Sequence, residues 1–264
     1  MIVELVGCTG AGKTSLARSL ERRGLRPDVA GAGVRVRMMY DLALDHVALR
    51  RVAHPSVANL VQDAAALPFA LAAVGRRRDF LVFTAQTIMR RFPTRLERAN
   101  RLRGVVRRVG MYELARTFAD RDVVLSDEGT LLLAYLYALT DAAYTENDLE
   151  TFAALAPLPD LVVYVRASTD VLVERATRRP DRQRQLGRKD MFELERLITR
   201  TVAVFDRLVV TSALDGRVVQ IDNSVDSETS HIHAVEAVAA RIAERRRALG
   251  HRGPRATASA PEPA

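Results

Sequence analysis

Ile2-Val3-Glu4-Leu5-Val6-Gly7-Cys8-Thr9-Gly10-Ala11-Gly12-Lys13-Thr14-Ser15 is the stretch that decides the fold. A short Val/Leu/Ile run reads as a buried strand, and a helical pattern over Lys13–Arg23 follows, closing at Gly24. Between them, Gly7 to Thr14 match G-x-x-x-x-G-K-[ST] at every fixed position. In such a loop the glycines let the backbone curl, so that successive amides point at phosphate oxygens at a helix N-terminus. The amides of Gly7, Cys8, Thr9, Gly10, Ala11 and Gly12 are thus candidate nucleotide contacts. Lys13 is placed to reach the β- and γ-phosphates, the Thr14 hydroxyl to ligate Mg2+ and Ser15 to reach the α-phosphate. Lys13 and Lys189 are the only lysines among 40 basic residues, which makes a lysine at this position more telling.

Working outward, three further short apolar runs read as buried strands: Val123–Ser126, Leu161–Val165 and Val218–Ile221. They are Val/Ile/Leu-rich without strict alternation, as in a parallel sheet covered on both faces. A fifth, Val34–Met39, has Arg35 and Arg37 alternating with apolar residues. Helical patterns separate the strands, among them Met191–Val209 and Ala234–Arg247. The expected fold is α/β: a P-loop NTPase fold with a doubly wound, mostly parallel five-stranded sheet. Residues 43–119 read as a helical insertion, with helices over Ala43–Ala53, Ser56–Gly75, Asp79–Arg91 and Thr94–Phe118, the last with a possible break near Gly104. Such an insertion suits a substrate-binding subdomain over the carboxyl ends of the strands. The run Leu131–Tyr137 reads as a core helix. One domain over 1–249 and a disordered tail over 250–264 complete the expected organisation.

The second strand-end motif is Val123-Val124-Leu125-Ser126-Asp127-Glu128-Gly129. An apolar strand ending in a carboxylate is the form of a Mg2+-holding Walker B strand, with Asp127 beside the phosphate loop if the two strands are neighbours. Glu128 is then placed to orient or deprotonate an attacking hydroxyl. The other reading is a helix cap from the acidic turn. After the fourth strand come Glu174-Arg175-Ala176-Thr177-Arg178-Arg179-Pro180-Asp181-Arg182, then Arg188-Lys189-Asp190. Guanidiniums on a segment over the phosphates, a lid at about 174–190, would neutralise a phosphoryl group in transit and exclude water.

Composition and charge narrow the function further. The 264 residues are 48% hydrophobic and 5% aromatic with no Trp, which argues against an aromatic nucleic-acid platform. The single cysteine, Cys8, excludes an internal disulfide and every cysteine-rich zinc site. No signal peptide is recognisable and no apolar run is long enough to span a bilayer, so a cytoplasmic protein is expected. The net charge of +8 concentrates between Gly75 and Gly110, where eleven arginines stand against Asp79 and Glu97. That segment reads either as solvated helix faces or as a surface for a polyanion. No Asn-Lys-x-Asp guanine reader and no Leu-Ser-Gly-Gly-Gln signature is present. His231 and His233, at a helix start, read as capping or solvated residues.

These blocks resemble thymidylate kinase and its nucleoside and nucleotide kinase relatives. The resemblance runs through Gly7–Ser15, through Val123–Asp127 with the following Ala134-Tyr135, through Leu158–Val165 with Val171–Arg175, and through Val218–Asn223, in family order. It implies an ATP- and Mg2+-dependent kinase moving a γ-phosphoryl group to a small acceptor. Lys13 and Asp127 would act at the phosphates, Thr14 and Asp127 at the metal, and Arg175, Arg178, Arg179 and Arg182 on the charge in transit. Glu128 or Asp41 would orient the acceptor, while Arg90, Arg91, Arg95 or Arg98 would meet an anionic group on it. Two departures stand out. Glu128 occupies the position where thymidylate kinases carry Arg, and Met38-Met39-Tyr40-Asp41 lacks the family's Asp-Pro-Gly-type loop. Thymidylate is therefore not the expected acceptor. A homodimer is compatible with this reading, nucleic acid is a less favoured partner, and an NTP-driven switch on the basic 75–110 surface or a non-catalytic scaffold are the alternatives.

Overall fold

The computed structural model describes residues 1–24, 35–46, 55–140, 142–178, 190–225 and 227–250. Five strands form one sheet: β1 (Ile2–Val6), β2 (Val36–Met38), β3 (Val123–Ser126), β4 (Leu161–Arg166) and β5 (Val218–Asp222). Their order is β2-β3-β1-β4-β5 and every neighbouring pair is parallel. The sheet is the five-stranded, doubly wound arrangement expected. β2 is shorter than its apolar run, because helix α2 (Met39–His46) starts immediately after Met38.

The remaining helices are α1 (Lys13–Arg23), α3 (Pro55–Ala73), α4 (Arg78–Arg91), α5 (Arg95–Arg116), α6 (Glu146–Leu155), α7 (Thr169–Thr177), α8 (Met191–Leu208) and α9 (Glu228–Ala248). Several begin on side-chain caps. Thr94 accepts from the Glu97 amide at the start of α5, and Thr145/Asp148 and Asp190/Glu193 form capping boxes on α6 and α8. α5 runs unbroken through Gly104. Leu131–Tyr137 is a 3-10 helix, not an α-helix. The expected helix over Ala43–Ala53 is represented by the end of α2, and residues 47–54 lie outside the described residues, as do 179–189 of the expected lid and 251–264 of the expected tail.

Alternation along β1 divides the core. Val3 and Leu5 pack with Leu16 and Leu20 of α1, Leu172 of α7, Leu197 of α8 and Val238 of α9 on one face. On the other face, Val6 packs with Ile88, Val109, Leu131 and Phe152, and Ile2 with Leu42, Ala66 and Leu114. Glu4 belongs to this second face by the two-residue period of a strand, and it is fully buried. Among the described residues, no helix is long and apolar enough to cross a membrane.

Much of the basic 75–110 segment is engaged within the protein. Arg76 and Arg77 both donate to the buried Glu113 carboxylate, at 3.2 and 2.8 Å. Arg91 donates to the Ala142 and Ala143 carbonyls and lies over the Tyr137 ring, and Arg98 donates to the Phe92 carbonyl. Arg103 pairs with Asp63, and Arg107 with Asn59 and Asp63. Glu113 is only 7% exposed while Arg76 is 66% exposed, so the Arg77 bond carries most of this contact. We expect Glu113→Ala to cost about 2 kcal/mol, below the range for breaking a fully buried pair because water reaches both guanidiniums. Urea denaturation checks this, and a loss under about 0.5 kcal/mol would show that the arginines merely exchange Glu113 for solvent.

Candidate active site

Because β1 and β3 are adjacent, with Glu4 opposite Ser126, the loops at their carboxyl ends emerge side by side. The loop after β1 turns through Gly12, whose φ of 95° is left-handed and whose missing Cβ leaves room for the Asn223 side chain, 2.4 Å from where that atom would stand. Asn223, just past β5, donates to the Ala11 carbonyl at 2.8 Å and so ties the phosphate loop to the far side of the sheet. Lys13 folds over the loop, its Nζ donating to the Gly7 and Cys8 carbonyls at 2.7 and 2.9 Å.

Across the β1–β3 junction the Thr14 hydroxyl donates to Asp127 Oδ2 at 2.9 Å. This places a hydroxyl and a carboxylate, two oxygen donors suited to a hard cation, at one point beside the loop amides. The pair fits Mg2+ held jointly with nucleotide phosphates. Cys8 sits within the loop but is buried, and burial pushes its thiol up to about 11, so it is protonated and unreactive at neutral pH.

Three cavities surround the loop. The first, about 420 Å³, is the phosphate cavity, lined by Gly7, Thr9, Lys13, Thr14 and Ser15 and faced by Asn100, Arg101, Gly104, Arg107 and Arg108 of α5. The second, about 440 Å³, lies on the α9 side between Gly10, Arg175, Asn223, Ser227 and His231. The third, about 480 Å³, opens between α1, α2, α3 and α5, with Arg18, Glu21, Asp41, Gln62 and Met111 among its walls. In that third cavity Glu21 accepts from the Met38 amide and shares a hydrogen bond with Asp41, and burial, with Asp41 adding, holds the Glu21 carboxyl above the usual carboxylate range.

The sequence-derived site residues fall into distinct groups. Gly7, Thr9, Gly10, Gly12, Lys13, Thr14, Ser15, Asp127 and Glu128 gather at the phosphate cavity, Cys8 and Ala11 of the loop are buried, and Asp41 lies in the third cavity. Arg175 reaches over the loop, donating to the Asn223 carbonyl at 2.9 Å. Arg178 instead pairs with Glu174 one turn back on α7, at 78% exposure. Arg179 and Arg182 lie outside the described residues. Arg90, Arg91, Arg95 and Arg98 line none of the three cavities; Arg101, Arg107 and Arg108 of the same segment do. Their spacing was the available signal, since Arg101, Gly104 and Arg108 share one face of a helix with Met111. His231 bonds Ser19 at 2.9 Å, linking α9 to α1.

Glu4 was also missed. Its carboxylate accepts from the Leu132 amide at 3.0 Å and lies against Gly129, where a Cβ would stand 2.2 Å from the Glu4 carboxyl carbon. The Thr130 hydroxyl has one proton and gives it to the Pro157 carbonyl at 2.6 Å, leaving its 3.4 Å contact to Glu4 weak. Burial raises the Glu4 carboxyl from 4.5 to about 7, against the hydrogen bonds from Leu132 and Leu131 and the field of Arg108. A folded-state value above the unfolded one means that stability is fully present below about pH 4.5 and is lost as pH rises through about 7. Glu4→Gln keeps an uncharged acceptor at the site. We expect it to match the parent near pH 4.5 and to exceed it at pH 8 by up to about 3 kcal/mol in urea denaturation. Parallel pH profiles for the two proteins would show that Glu4 does not titrate in this range.

No family model and no curated protein matches the chain. Among solved structures it is similar to deoxyadenosine kinase from M. mycoides with dCMP and a flexible dCDP bound, at 13% identity over 92% of this chain and 100% of that one, with a TM-score of 0.45. The same kinase with bound dATP gives 13% identity, 90% and 99% coverage, and a TM-score of 0.45. Shikimate kinase from Bacteroides thetaiotaomicron gives 12% identity, 95% and 98% coverage, and a TM-score of 0.42. At such scores the likeness adds nothing to what sheet order and phosphate loop establish by themselves.

Proposed function

We propose that the chain is an ATP- and Mg2+-dependent phosphotransferase that moves the γ-phosphoryl group to a hydroxyl or phosphate oxygen of a small acceptor. The observation that carries this reading is the meeting of the phosphate cavity and the third cavity at the Thr14–Asp127 pair, which line both. A nucleotide on the loop amides and an acceptor in the third cavity would thus face each other across the metal-binding residues.

The steps follow from the residues present. The loop amides and Lys13 bind the phosphates, with Lys13 exchanging the Gly7 and Cys8 carbonyls for phosphate oxygens. Thr14 and Asp127 would hold Mg2+, which would screen the phosphate charge. The bond from the γ-phosphorus to the β,γ-bridging oxygen breaks as a bond to the acceptor oxygen forms. The acceptor proton passes to a carboxylate at the wall of the third cavity, where Asp41 stands. Arg175, which lines the cavity on the α7 side of the loop, closes over the nucleotide from that side.

The mixed lining of the third cavity argues for an acceptor with polar groups of both kinds: Arg18 and Arg107 against Glu21 and Asp41. Glu128 at the strand end disfavours thymidylate, whose phosphate would meet a carboxylate rather than a guanidinium. We expect dTMP to be phosphorylated with kcat/KM below about 10⁴ M⁻¹s⁻¹. A value above that in steady-state assay would show that Glu128 does not control acceptor choice.

The reading as a whole is tested by Lys13→Ala against a panel of nucleosides, nucleotides and small hydroxy acids with Mg2+ and ATP. The variant should unfold at the parent's temperature and lose transfer by at least about 10²-fold, since Lys13 contacts loop carbonyls and ligand rather than core. Unchanged turnover would sink the assignment.

A further inference from the structure

The geometry points to Arg108, on the insertion helix α5, as the guanidinium that meets the phosphoryl group at the point of transfer, with Glu128 holding it in place rather than serving as the base. This rests on the phosphotransferase reading above and names a residue of that site.

The first argument is position. Among the described residues, the phosphate cavity and the third cavity share five lining residues: Thr14, Arg107, Arg108, Asp127 and Glu128. A group passing from nucleotide to acceptor must cross the wall that these residues form. Thr14 and Asp127 bond each other, and Arg107 is engaged by Asn59 at 2.9 Å and by Asp63. Arg108 is the cation at this wall whose partners among the described residues stand no nearer than 3.4 Å.

The second argument is its unmet hydrogen-bonding capacity. The Arg108 guanidinium is mostly buried, with 18% of the side chain exposed. Its nearest counter-ion, Glu128, is 3.7 Å away, and its Nη1 reaches the Gly104 carbonyl only at 3.4 Å. Its Nε is buried and has no hydrogen-bond partner among the described residues. A buried cation held this loosely is costly unless an anion completes its surroundings, and the burial works against its charge accordingly. The fork of a guanidinium matches phosphoryl oxygens.

The third argument concerns Glu128. Its side chain is 65% exposed at the cavity mouth and pairs across the cleft with Arg108. Glu128 and Arg108 are thus oppositely charged neighbours on the wall that the two cavities share. Desolvation and the neighbouring Arg107 and Arg101 work against the Arg108 charge, and Glu128 and Glu4 only partly offset them, so an added anion would complete the balance.

The experiment uses the full chain with Mg2+ and ATP and reads two quantities: phosphoryl transfer to water as basal hydrolysis, and ADP affinity by calorimetry. Arg108→Ala is expected to lower hydrolysis by about 10²–10³-fold while ADP affinity stays within about twofold, because ADP lacks the group that Arg108 meets. Added guanidinium should restore part of the rate, and Arg108→Lys should not. Glu128→Gln should lower the rate less, and the double variant should match Arg108→Ala alone, since Glu128 acts through Arg108. Arg103→Ala, which removes an exposed pair with Asp63, is the control and should leave both quantities unchanged. Parent-like hydrolysis in Arg108→Ala, equal loss of ADP affinity, or additive losses in the double variant would overturn the inference. Absence of ADP binding in the unsubstituted protein would overturn the phosphotransferase reading itself, and this one with it.

Discussion

Parallel pairing of β1 with β3 is the constraint on which the site depends. Neither strand-end motif does anything alone: a glycine loop is a nest of amides, and an aspartate after an apolar run is often a helix cap. With Glu4 opposite Ser126, the chain after β1 and the chain after β3 leave the sheet as neighbours. Only then can Thr14 and Asp127, 113 residues apart, come within 2.9 Å. β2, on the far edge of β3, delivers α2 and Asp41 to the same side. β5, beyond β4, delivers Asn223 to the loop's other flank. The central position of β1 therefore gives the phosphate loop one flank toward α2 and Asp41 and another toward Asn223.

That arrangement concentrates buried charge where an all-apolar core would be more stable. Glu4 occupies a position facing Ile88, Leu131 and Phe152's layer, where a leucine would pack without a desolvation cost. What it does there is receive the Leu132 amide and lie against Gly129, which fixes the turn between Asp127 and the 3-10 segment. A leucine would leave that amide unpaired and the turn unpinned. Stability is thus lowered locally to hold Asp127 and Glu128 in register, the kind of exchange expected at a functional centre.

The sequence made the frame of this protein readable and left much of the site's interior hidden. Four strands and the phosphate loop were legible because a buried parallel strand is a continuous apolar run and the loop has fixed glycine spacing. Leu131–Tyr137 misled, since an all-apolar run carries no period by which a 3-10 turn differs from an α-helix. Gly104 left a break in α5 open from sequence, yet flanking residues of good helix propensity and packing against α3 carry the helix through. The arginines at issue could not be sorted by composition. Arg91, Arg98 and Arg108 look alike in sequence, and only the path of the chain shows that two of them bond backbone carbonyls while the third faces the loop. Glu4 was hidden for a different reason: one carboxylate within an apolar strand is outvoted by its neighbours in any windowed reading.

The basic segment shows how formal charge and available charge part company. Eleven arginines against two carboxylates suggested a surface for a polyanion, and a switch built on it was the competing reading. Glu113 takes two of those guanidiniums, Asp63 takes two more, carbonyls and aromatic rings take others, and Arg108 turns inward to Glu128. A polyanion would have to compete with these partners for side chains that already have them. Counterion release, which drives polyanion binding, rewards only cations that face solvent. Arg78, Arg90 and Arg95 stay exposed, whereas Arg101, Arg107 and Arg108 line the cavity beside the phosphate loop. There a low-dielectric wall strengthens the attraction of these three guanidiniums for an anion.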